Sequence, residues 1–174
     1  MIKEILLSCM AVVEIGNSNP AQWDVPMPGD HLAYVAECCE EYGVPAELVL
    51  ALIERESGFQ EDAVSETEDY GYMQINRCNF KSAADNYGLY PKHDPFDNIK
   101  YGIIFLSTAY RQYESWDKAL MIYAGGPSVI GCAEWKQGYT EKTVVLIERA
   151  KEIKKEGGTV DRQSTIVQAF SDKT

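Results

Sequence analysis

Apolar residues recur at helical spacing through most of the chain, and the first two such stretches lie close together. "HLAYVAECCEEYG" has apolar residues three and four apart and stops at Gly43, a residue type that commonly follows a helix. "VPAELVLALIERES" predicts a second helix, with Pro45 in its first turn. Residues 48–53 are apolar on every side, which is typical of a helix buried all round. The pattern predicts a mainly α-helical protein with this second helix at its centre.

Four later segments continue the helical pattern. "NFKSAADNYG" predicts a short helix ending at Gly88, and "WDKALMIYAGG" predicts a helix closed by its two glycines. "DPFDNIKYGIIFLSTAYRQY" predicts a long helix from about Asn98, with Asp97 or Asn98 as its N-cap. "YTEKTVVLIERAKEIKK" predicts the last helix, with Thr140 as N-cap. The order contains no internal repeat, so we expect one helical domain.

The chain divides into three parts, with one irregular stretch inside the second. We expect residues 1–29 to form an N-terminal segment and connector, residues 30–156 the domain, and residues 157–174 a C-terminal tail. Residues 58–76 are polar and rich in turn residues. A long loop inside a compact domain is usually functional or disordered. Glycines and aromatic residues fill this one, which favours a function, and we expect an irregular loop or a minimal β-hairpin there.

The net charge limits the classes of partner. Of the 174 residues, 16 are Lys or Arg and 27 are Asp or Glu, which gives a net charge of −11. A strongly acidic chain repels phosphate backbones, so we expect no nucleic-acid partner. No apolar run approaches the roughly 20 residues that span a bilayer, so we expect no integral membrane span.

The cysteines and histidines do not form a metal-binding pattern. The two histidines stand alone and no C-x-x-C pair exists, so we predict neither a metal nor a cofactor. An odd number of cysteines leaves at least one free thiol in a monomer, and buried free thiols are the expected state, although the sequence leaves the pairing open. The five are Cys9, Cys38, Cys39, Cys78 and Cys132.

The N-terminus leaves the route of export open. Residues 5–13 form an apolar stretch of signal-peptide length, but only Lys3 precedes it, beside Glu4. No small-x-small cleavage site follows before Pro20. An amphipathic or buried helix therefore fits this segment better than a leader.

Glu56 is the strongest candidate for catalysis. It stands at the C-terminal end of the predicted buried helix, where nearby apolar surface and the partial negative charge of the helix end both disfavour ionisation. A raised pKa is what a general acid needs near neutral pH. Glu54 lies two positions earlier and points to another face. The alternative is that both carboxyl groups are simply solvated at a helix end.

A neutral amide and several tyrosines accompany this acid. Gln74, in "GYMQI", offers a donor and an acceptor to a sugar hydroxyl or acetamido group without adding charge. Tyrosines supply the amphipathic surfaces on which sugars stack. Together with an acid, these groups suit an extended neutral polymer that carries hydroxyl groups. The tyrosines in question are Tyr70, Tyr72, Tyr123 and Tyr139.

Four linked motifs resemble those of the lysozyme-like lytic transglycosylases of the soluble (SLT) type, which are related to goose-type lysozymes. "ALIERESGFQEDAVS" followed by "DYGYMQIN" is similar to the family's E-S-x-F helix end, A-x-S turn and G-x-M-Q-I. "DPFDNIKYG" is similar to its D-P-x-x-N-I-x-x-G. "LMIYAGGPSVIG" and "YTEKTVV" are similar to its last two segments. The resemblance covers about residues 44 to 150 in the family's order.

The resemblance implies a lysozyme-like helical domain that cleaves the β-1,4 bond between MurNAc and GlcNAc in peptidoglycan, without a cofactor. Glu56 matches the catalytic acid/base. Ala124 stands where the family usually has Asn, and Tyr72 replaces the usual Leu. The positions implied to bind or organise substrate are Ser57, Ser65, Tyr72, Met73, Gln74, Asn98, Tyr123 and Tyr139.

Three alternatives stay open. "DYGYMQIN" also resembles chicken-type lysozymes, so Asp69 is either a turn residue or a second carboxylate of a hydrolytic muramidase. A second alternative is a non-catalytic glycan-binding or scaffold module of a wall-spanning assembly. A third is a helical protein whose acidic loop binds a divalent cation, which the missing D-x-[DN]-x-[DN]-G order disfavours.

Action on peptidoglycan implies an extracytoplasmic location at the cell wall. Release from the cytoplasm in the manner of a phage lysis enzyme is a further route. We expect a monomer whose partners are the peptidoglycan glycan strand and, in addition, a component of an envelope or phage assembly. An acidic surface is not attracted to anionic wall polymers, so such a component would supply any tight anchoring.

Overall fold

The computed structural model describes residues 23–131, 145–146 and 148–153. Short 3₁₀ segments lie at Arg77–Asn79, between the second strand and the next helix, and at Pro127–Gly131, and residues 145–146 and 148–153 are helical. The mainly α-helical fold with a minimal β-hairpin agrees with the prediction. In chain order the elements are α1 (Gly29–Tyr42), α2 (Ala46–Ser57), β1 (Asp69–Tyr70), β2 (Ile75–Asn76), α3 (Phe80–Tyr87), α4 (Pro95–Tyr113) and α5 (Trp116–Gly125).

Helix α2 lies at the centre of the core, as its apolar sequence predicts. Residues 48–53 expose at most 2% of their surface, so the helix is covered on every side. Gly58 ends it in the left-handed conformation, and its N–H donates to the carbonyl of Glu54. Glu56 is the penultimate residue of α2. A rigid buried helix therefore carries the candidate acid to the edge of the core.

Two predicted helix starts are displaced. Helix α4 begins at Pro95 rather than near Asn98, and its N-cap is Asp94, whose carboxylate accepts from the N–H of Phe96 at 2.8 Å. Proline fits a first turn because its fixed φ is helical and it has no N–H to satisfy. Asp97 and Asn98 therefore lie inside the helix. Pro45 stands one position outside α2, as its N-cap residue, and not in its first turn.

The side chain of Asn98 ties the hairpin to α4. Its Oδ1 accepts from the N–H of Met73 at 2.9 Å, and its Nδ2 donates to the carbonyls of Tyr70 at 2.7 Å and Pro91 at 2.9 Å. Gly71 permits this approach: its φ is +73°, and a Cβ there would lie 2.6 Å from Asn98 Nδ2. The residues between β1 and β2 are thus held by a buried amide.

Residues of the predicted connector contribute to the core. Trp23 and Met27 are both buried against it. The division into residues 1–29, 30–156 and 157–174 stays a prediction. Thr140, the predicted cap of the last helix, lies outside the described residues.

The described cysteines are free thiols. Cys38 and Cys39 are buried in α1, as expected, whereas Cys78 is exposed. Burial raises the pKa of the Cys38 thiol to about 11. Cys9 and Cys132 lie outside the described residues. Within the part of the chain that the structure describes, no helix is both long enough and apolar enough to cross a membrane.

We predict that Asn98→Ala lowers the free energy of unfolding by about 2–5 kcal/mol, because it leaves a buried N–H and two carbonyls without their partner. Urea denaturation measures the change. Asn86→Ala is the matched control, since the Asn86 amide makes one exposed contact, to Ser82 at 3.0 Å. We expect the control to stay within about 0.5 kcal/mol of wild type. Equal effects of the two substitutions would contradict the anchoring role of Asn98.

Candidate active site

A cleft of about 900 Å³ opens at the C-terminal end of α2. The hairpin forms one wall, and α4 with the end of α5 forms the other. The volume lies within the range of ligand sites in proteins. Five of the residues predicted from the sequence line the cleft together: Glu56, Ser65, Asp69, Gln74 and Tyr123.

Glu56 lies in this cleft as a largely shielded carboxyl group, with 23% of its side chain exposed. Burial raises its pKa above the ordinary value. Arg55, whose Nε lies 3.9 Å from Glu56 Oε1, opposes the shift, and the negative charge of Asp69 adds to it. The net shift is upward, as the sequence predicts, so the group keeps its proton to a higher pH than a solvated glutamate.

Asp69 titrates in the opposite direction. Burial by itself would raise its pKa, but three side-chain hydrogen bonds to the carboxylate outweigh burial and lower the pKa. Asp69 Oδ2 accepts from the hydroxyls of Ser65 at 2.7 Å and Thr67 at 2.5 Å, and Oδ1 accepts from Asn76 Nδ2 at 2.8 Å. The cleft therefore holds two carboxyl groups whose pKa values are shifted in opposite directions from their ordinary values.

The backbone of the hairpin fixes this arrangement around Asp69. Two reciprocal hydrogen bonds join Ser65 and Asp69. The N–H of Ser65 donates to the Asp69 carbonyl, and the N–H of Asp69 donates to Ser65 Oγ, both at 3.0 Å. The strand register sets Asn76 directly opposite Asp69. Glu68 adopts a positive φ of 61° and pairs with Arg77 at 2.8 Å. The acidic loop is thus an ordered turn that orients Asp69.

Gln74 and Tyr123 complete the cleft wall. Gln74 has a φ of +45°, and its Nε2 donates to the carbonyls of Gly71 at 2.9 Å and Ala63 at 3.2 Å. The Tyr123 hydroxyl donates to the Met73 carbonyl at 2.6 Å. Burial raises the pKa of Tyr123 well above its ordinary value, and the charge of Glu56 adds to this shift. Tyr123 therefore stays a neutral phenol beside Glu56.

Four predicted substrate-binding side chains support the cleft from behind it. Ser57 donates to the Ile53 carbonyl at 3.1 Å, and Asn98 makes the buried contacts already described. Tyr72 is 1% exposed, and its hydroxyl pairs with His31 Nδ1 at 2.9 Å, while Met73 is fully buried. Direct contact with substrate stays a prediction for all four. Tyr139 lies outside the described residues.

Helix α4 contacts the buried Met73 at Gly102. A Cβ on Gly102 would lie 2.8 Å from Met73 Cε and 2.9 Å from its Cβ. The missing side chain therefore lets the hairpin turn approach the helix closely. Ala124, at the position where the resembling motif usually has Asn, also lines the cleft and presents only a methyl group there.

Two of the three side-chain donors to Asp69, those of Thr67 and Asn76, were not predicted from the sequence. Thr67 is two positions before Asp69, and a Ser-x-Thr-x-Asp spacing in a turn is a signal that could have indicated it. Asn76 is seven positions after Asp69, and only the hairpin register brings the two together. Glu54, expected to be solvated, pairs with Arg149 at 2.7 Å. Among the described residues, no cluster of His, Cys, Asp and Glu could hold a metal ion.

Comparison with known families identifies the domain. The family model described as "Transglycosylase SLT domain" matches residues 33–145, which is more than half of the chain. The chain belongs to the transglycosylase SLT-domain family. The prediction of an SLT-type, lysozyme-like domain is confirmed.

A solved structure has a similar fold to this SLT domain. It is the X-ray structure of an inactive mutant of the lytic transglycosylase Slt from Pseudomonas aeruginosa, with a TM-score of 0.60 and 20% sequence identity. The similarity covers 77% of this chain and 25% of that one. The likeness therefore concerns the fold, and this chain matches about a quarter of that protein's length.

We predict that Glu56→Gln stabilises the SLT domain above neutral pH relative to wild type. A carboxyl whose folded pKa is raised contributes full stability below its ordinary pKa of 4.5, and this contribution is lost as the pH rises through the raised value. The variant has no such loss, so its melting temperature should exceed that of wild type at pH 8 and not at pH 4. Glu66→Gln, at an exposed carboxyl of the loop, controls for the loss of one charge. A difference in melting temperature that is the same at both pH values would contradict the prediction.

Proposed function

We propose that this protein is a peptidoglycan lytic transglycosylase that cleaves the MurNAc–GlcNAc β-1,4 bond with Glu56 as its single acid/base. The observation that carries the proposal is a shielded carboxyl group with a raised pKa that lines a cleft of about 900 Å³. Such a group keeps its proton to a higher pH than a solvated glutamate, so it suits a general acid that gives up a proton and takes one back afterwards. Family membership supports the same reaction class.

In the first step, Glu56 protonates the glycosidic oxygen, and the bond from that oxygen to C1 of MurNAc breaks. Positive charge develops at C1 in an oxocarbenium-like transition state. The acetamido oxygen of the substrate stabilises this centre. The ionised Asp69 adds negative potential on the same cleft, which favours the developing positive charge and the protonated form of Glu56.

In the second step, Glu56, now a carboxylate, takes the proton from the 6-hydroxyl of MurNAc. The freed oxygen bonds to C1 and closes a 1,6-anhydro ring, so no water is consumed and Glu56 is returned to its acid form. The Nε2 atom of Gln74 already donates to two carbonyls, which leaves its amide oxygen to accept from a sugar hydroxyl. The Tyr123 hydroxyl donates to the Met73 carbonyl, and this hydrogen bond holds the tyrosine in the cleft wall beside Glu56.

We predict that Glu56→Gln lowers peptidoglycan cleavage by about 100- to 10,000-fold, because the amide cannot transfer the proton. Release of soluble muropeptides measures the rate, and circular dichroism checks that the fold survives. Wild-type activity should fall as the pH rises through the raised pKa of Glu56. Cleavage retained by a folded Glu56→Gln protein would refute the assignment of Glu56. Absence of cleavage by the folded wild-type protein would favour the non-catalytic glycan-binding or scaffold module.

A hydrolytic muramidase is the second candidate function, and the environment of Asp69 favours it. In glycosidases such as lysozyme, two carboxyl groups whose surroundings separate their pKa values serve as the general acid and as the group that stabilises the positive charge. In this alternative, a water attacks C1 in place of the 6-hydroxyl and gives up a proton to Glu56, with or without Asp69 stabilising the positive charge at C1. The products then end in reducing MurNAc.

We predict that Asp69→Asn retains most of the cleavage activity and still forms anhydro ends, because the proposed reaction needs one proton-transferring group. Mass spectrometry of the released muropeptides decides between the reactions, since anhydro ends are lighter by one water. Thr67→Val, which removes one donor to Asp69, is a milder companion variant. A loss as deep as that of Glu56→Gln, together with reducing ends in the wild-type products, would establish Asp69 as the second catalytic carboxylate.

The substrate implies a place of action outside the cytoplasmic membrane, at the cell wall. The net charge of −11 does not attract the chain to anionic wall polymers, so we propose that a component of an envelope or phage assembly directs it there. The monomeric state and the route of export stay predictions.

A further inference from the structure

The hairpin turn has a second support, which comes from α1. Tyr72, in the turn between β1 and β2, is 1% exposed, and its hydroxyl lies 2.9 Å from Nδ1 of His31. His31 belongs to the first turn of α1 and precedes Tyr72 by 41 residues. Neither side chain is among the described residues that line the cleft. The pair therefore supports the turn from behind and does not contact the cleft directly.

The imidazole of His31 is enclosed by aromatic rings. It meets the ring of Tyr72 edge to face with 5.6 Å between centroids, and that of Phe96, in the first turn of α4, with 4.7 Å. Phe96 in turn meets Tyr34 of α1 at 5.1 Å. Only 8% of His31 is exposed as a result. A ring packed in this way has few positions available, so it keeps Nδ1 beside the Tyr72 hydroxyl.

Glu61 joins the pair from the loop that follows α2. Its Oε2 lies 3.5 Å from His31 Nδ1. Burial raises the pKa of Tyr72 to about 12, and the charges of Glu61, Asp30 and Asp62 and a hydrogen bond to Glu61 add to this shift. Tyr72 therefore stays a neutral phenol that both donates and accepts hydrogen bonds. We call His31, Tyr72 and Glu61 the α1 cluster.

The Glu61 side of the α1 cluster leads to the cleft wall through the loop backbone. Ala63 is two residues after Glu61. Its carbonyl accepts from the N–H of Gly71 at 2.8 Å and from Nε2 of Gln74 at 3.2 Å. Fixing Glu61 against α1 thus fixes the carbonyl that holds the Gln74 amide.

The Tyr72 side leads to the same wall through the turn itself. Tyr72 is followed by Met73, whose carbonyl accepts from the Tyr123 hydroxyl, and then by Gln74. Gln74 has a φ of +45°, a backbone conformation that residues other than glycine keep only where the surrounding contacts fix it. The orientation of the Gln74 amide in the cleft therefore depends on both sides of the α1 cluster.

We propose that His31 is a positioning residue for glycan binding, because it holds the turn and the loop through Tyr72 and Glu61 and thereby aims the Gln74 amide at the substrate. The inference rests on the proposed function for the identity of that substrate. Asn98 anchors the same turn from α4, so the turn is held from two helices. Tyr72 stands where the family's motif usually has Leu, which has no hydroxyl to share with a histidine.

Amide hydrogen exchange tests this support without any substrate. The N–H groups of Gly71 and Met73 are bonded to the Ala63 carbonyl and to Asn98 Oδ1, so their exchange reports how firmly the turn is held. His31→Ala should speed the exchange of the turn amides by roughly three- to tenfold, because local opening becomes easier. Amides of α5 should keep their rates, which distinguishes a local effect from unfolding of the domain.

Two further variants make the exchange test specific. Tyr72→Phe removes only the hydroxyl and keeps the ring, so it should speed exchange of the turn amides as His31→Ala does, with the packing of the ring preserved. His93→Ala is the matched control, because His93 is the other histidine of the chain and is exposed. Its turn amides should exchange as in wild type.

Steady-state kinetics test the consequence for the substrate. His31→Ala and Tyr72→Phe should raise KM for peptidoglycan by about three- to tenfold and lower kcat by less than about twofold, since Glu56 stays on its buried helix. In a Gln74→Ala protein, adding His31→Ala should raise KM no further, because the amide that His31 positions is absent. A purely structural role of His31 would give the same increase in both proteins.

The outcomes separate this inference from the proposed function. Equal exchange of the turn amides in wild type, His31→Ala and Tyr72→Phe overturns the inference, whatever the activity. A KM that does not change, or a rise in KM that persists in the Gln74→Ala protein, overturns it as well. If wild type does not cleave peptidoglycan, the proposed function fails and the glycan-binding role of His31 fails with it. Faster exchange of the turn amides, together with a rise in KM that disappears in the Gln74→Ala protein, supports the inference.

Discussion

The amide side chain of Asn98 is the contact on which the candidate site depends. It joins the turn between the two short strands to α4 through three hydrogen bonds, and a hairpin of two-residue strands has little stability of its own. Because the turn is held there, the carbonyl of Met73 faces Tyr123, and Gln74 keeps its left-handed backbone beside the cleft. An exposed loop is thereby converted into a rigid wall opposite the acid.

That wall gives the cleft its electrostatic character. The carboxyl groups of Glu56 and Asp69 differ in what surrounds them, since apolar burial dominates at the first and three hydrogen-bond donors dominate at the second. Helix α4 anchors the hairpin through its N-terminal part and lines the cleft with Tyr101 and Phe105.

Much of the fold was predictable because helical periodicity is a local property. The apolar run of α2, the glycines that end three helices and the short α3 all follow from residue type and spacing. The start of α4 was misplaced, since Asp97 and Asn98 are good caps in isolation and only the structure shows Asp94 in that role. The sequence also did not show that Tyr72 and Ser57 lie behind the cleft, because a polar atom does not reveal whether its partner is a ligand, a backbone carbonyl or, as for Tyr72, a histidine on a distant helix.

The sequence by itself determined the family of the domain, the helix that carries Glu56 and the direction of its pKa shift, because these depend on linked motifs and on a run of apolar residues next to the acid. Only the tertiary structure decided which predicted residues meet in the cleft and which lie behind it. It also decided the state of Asp69, since a carboxylate takes its pKa from the donors around it, and Asn76 reaches it only through the register of the hairpin. Contacts between residues distant in sequence are set by packing, and packing is a property of the whole fold.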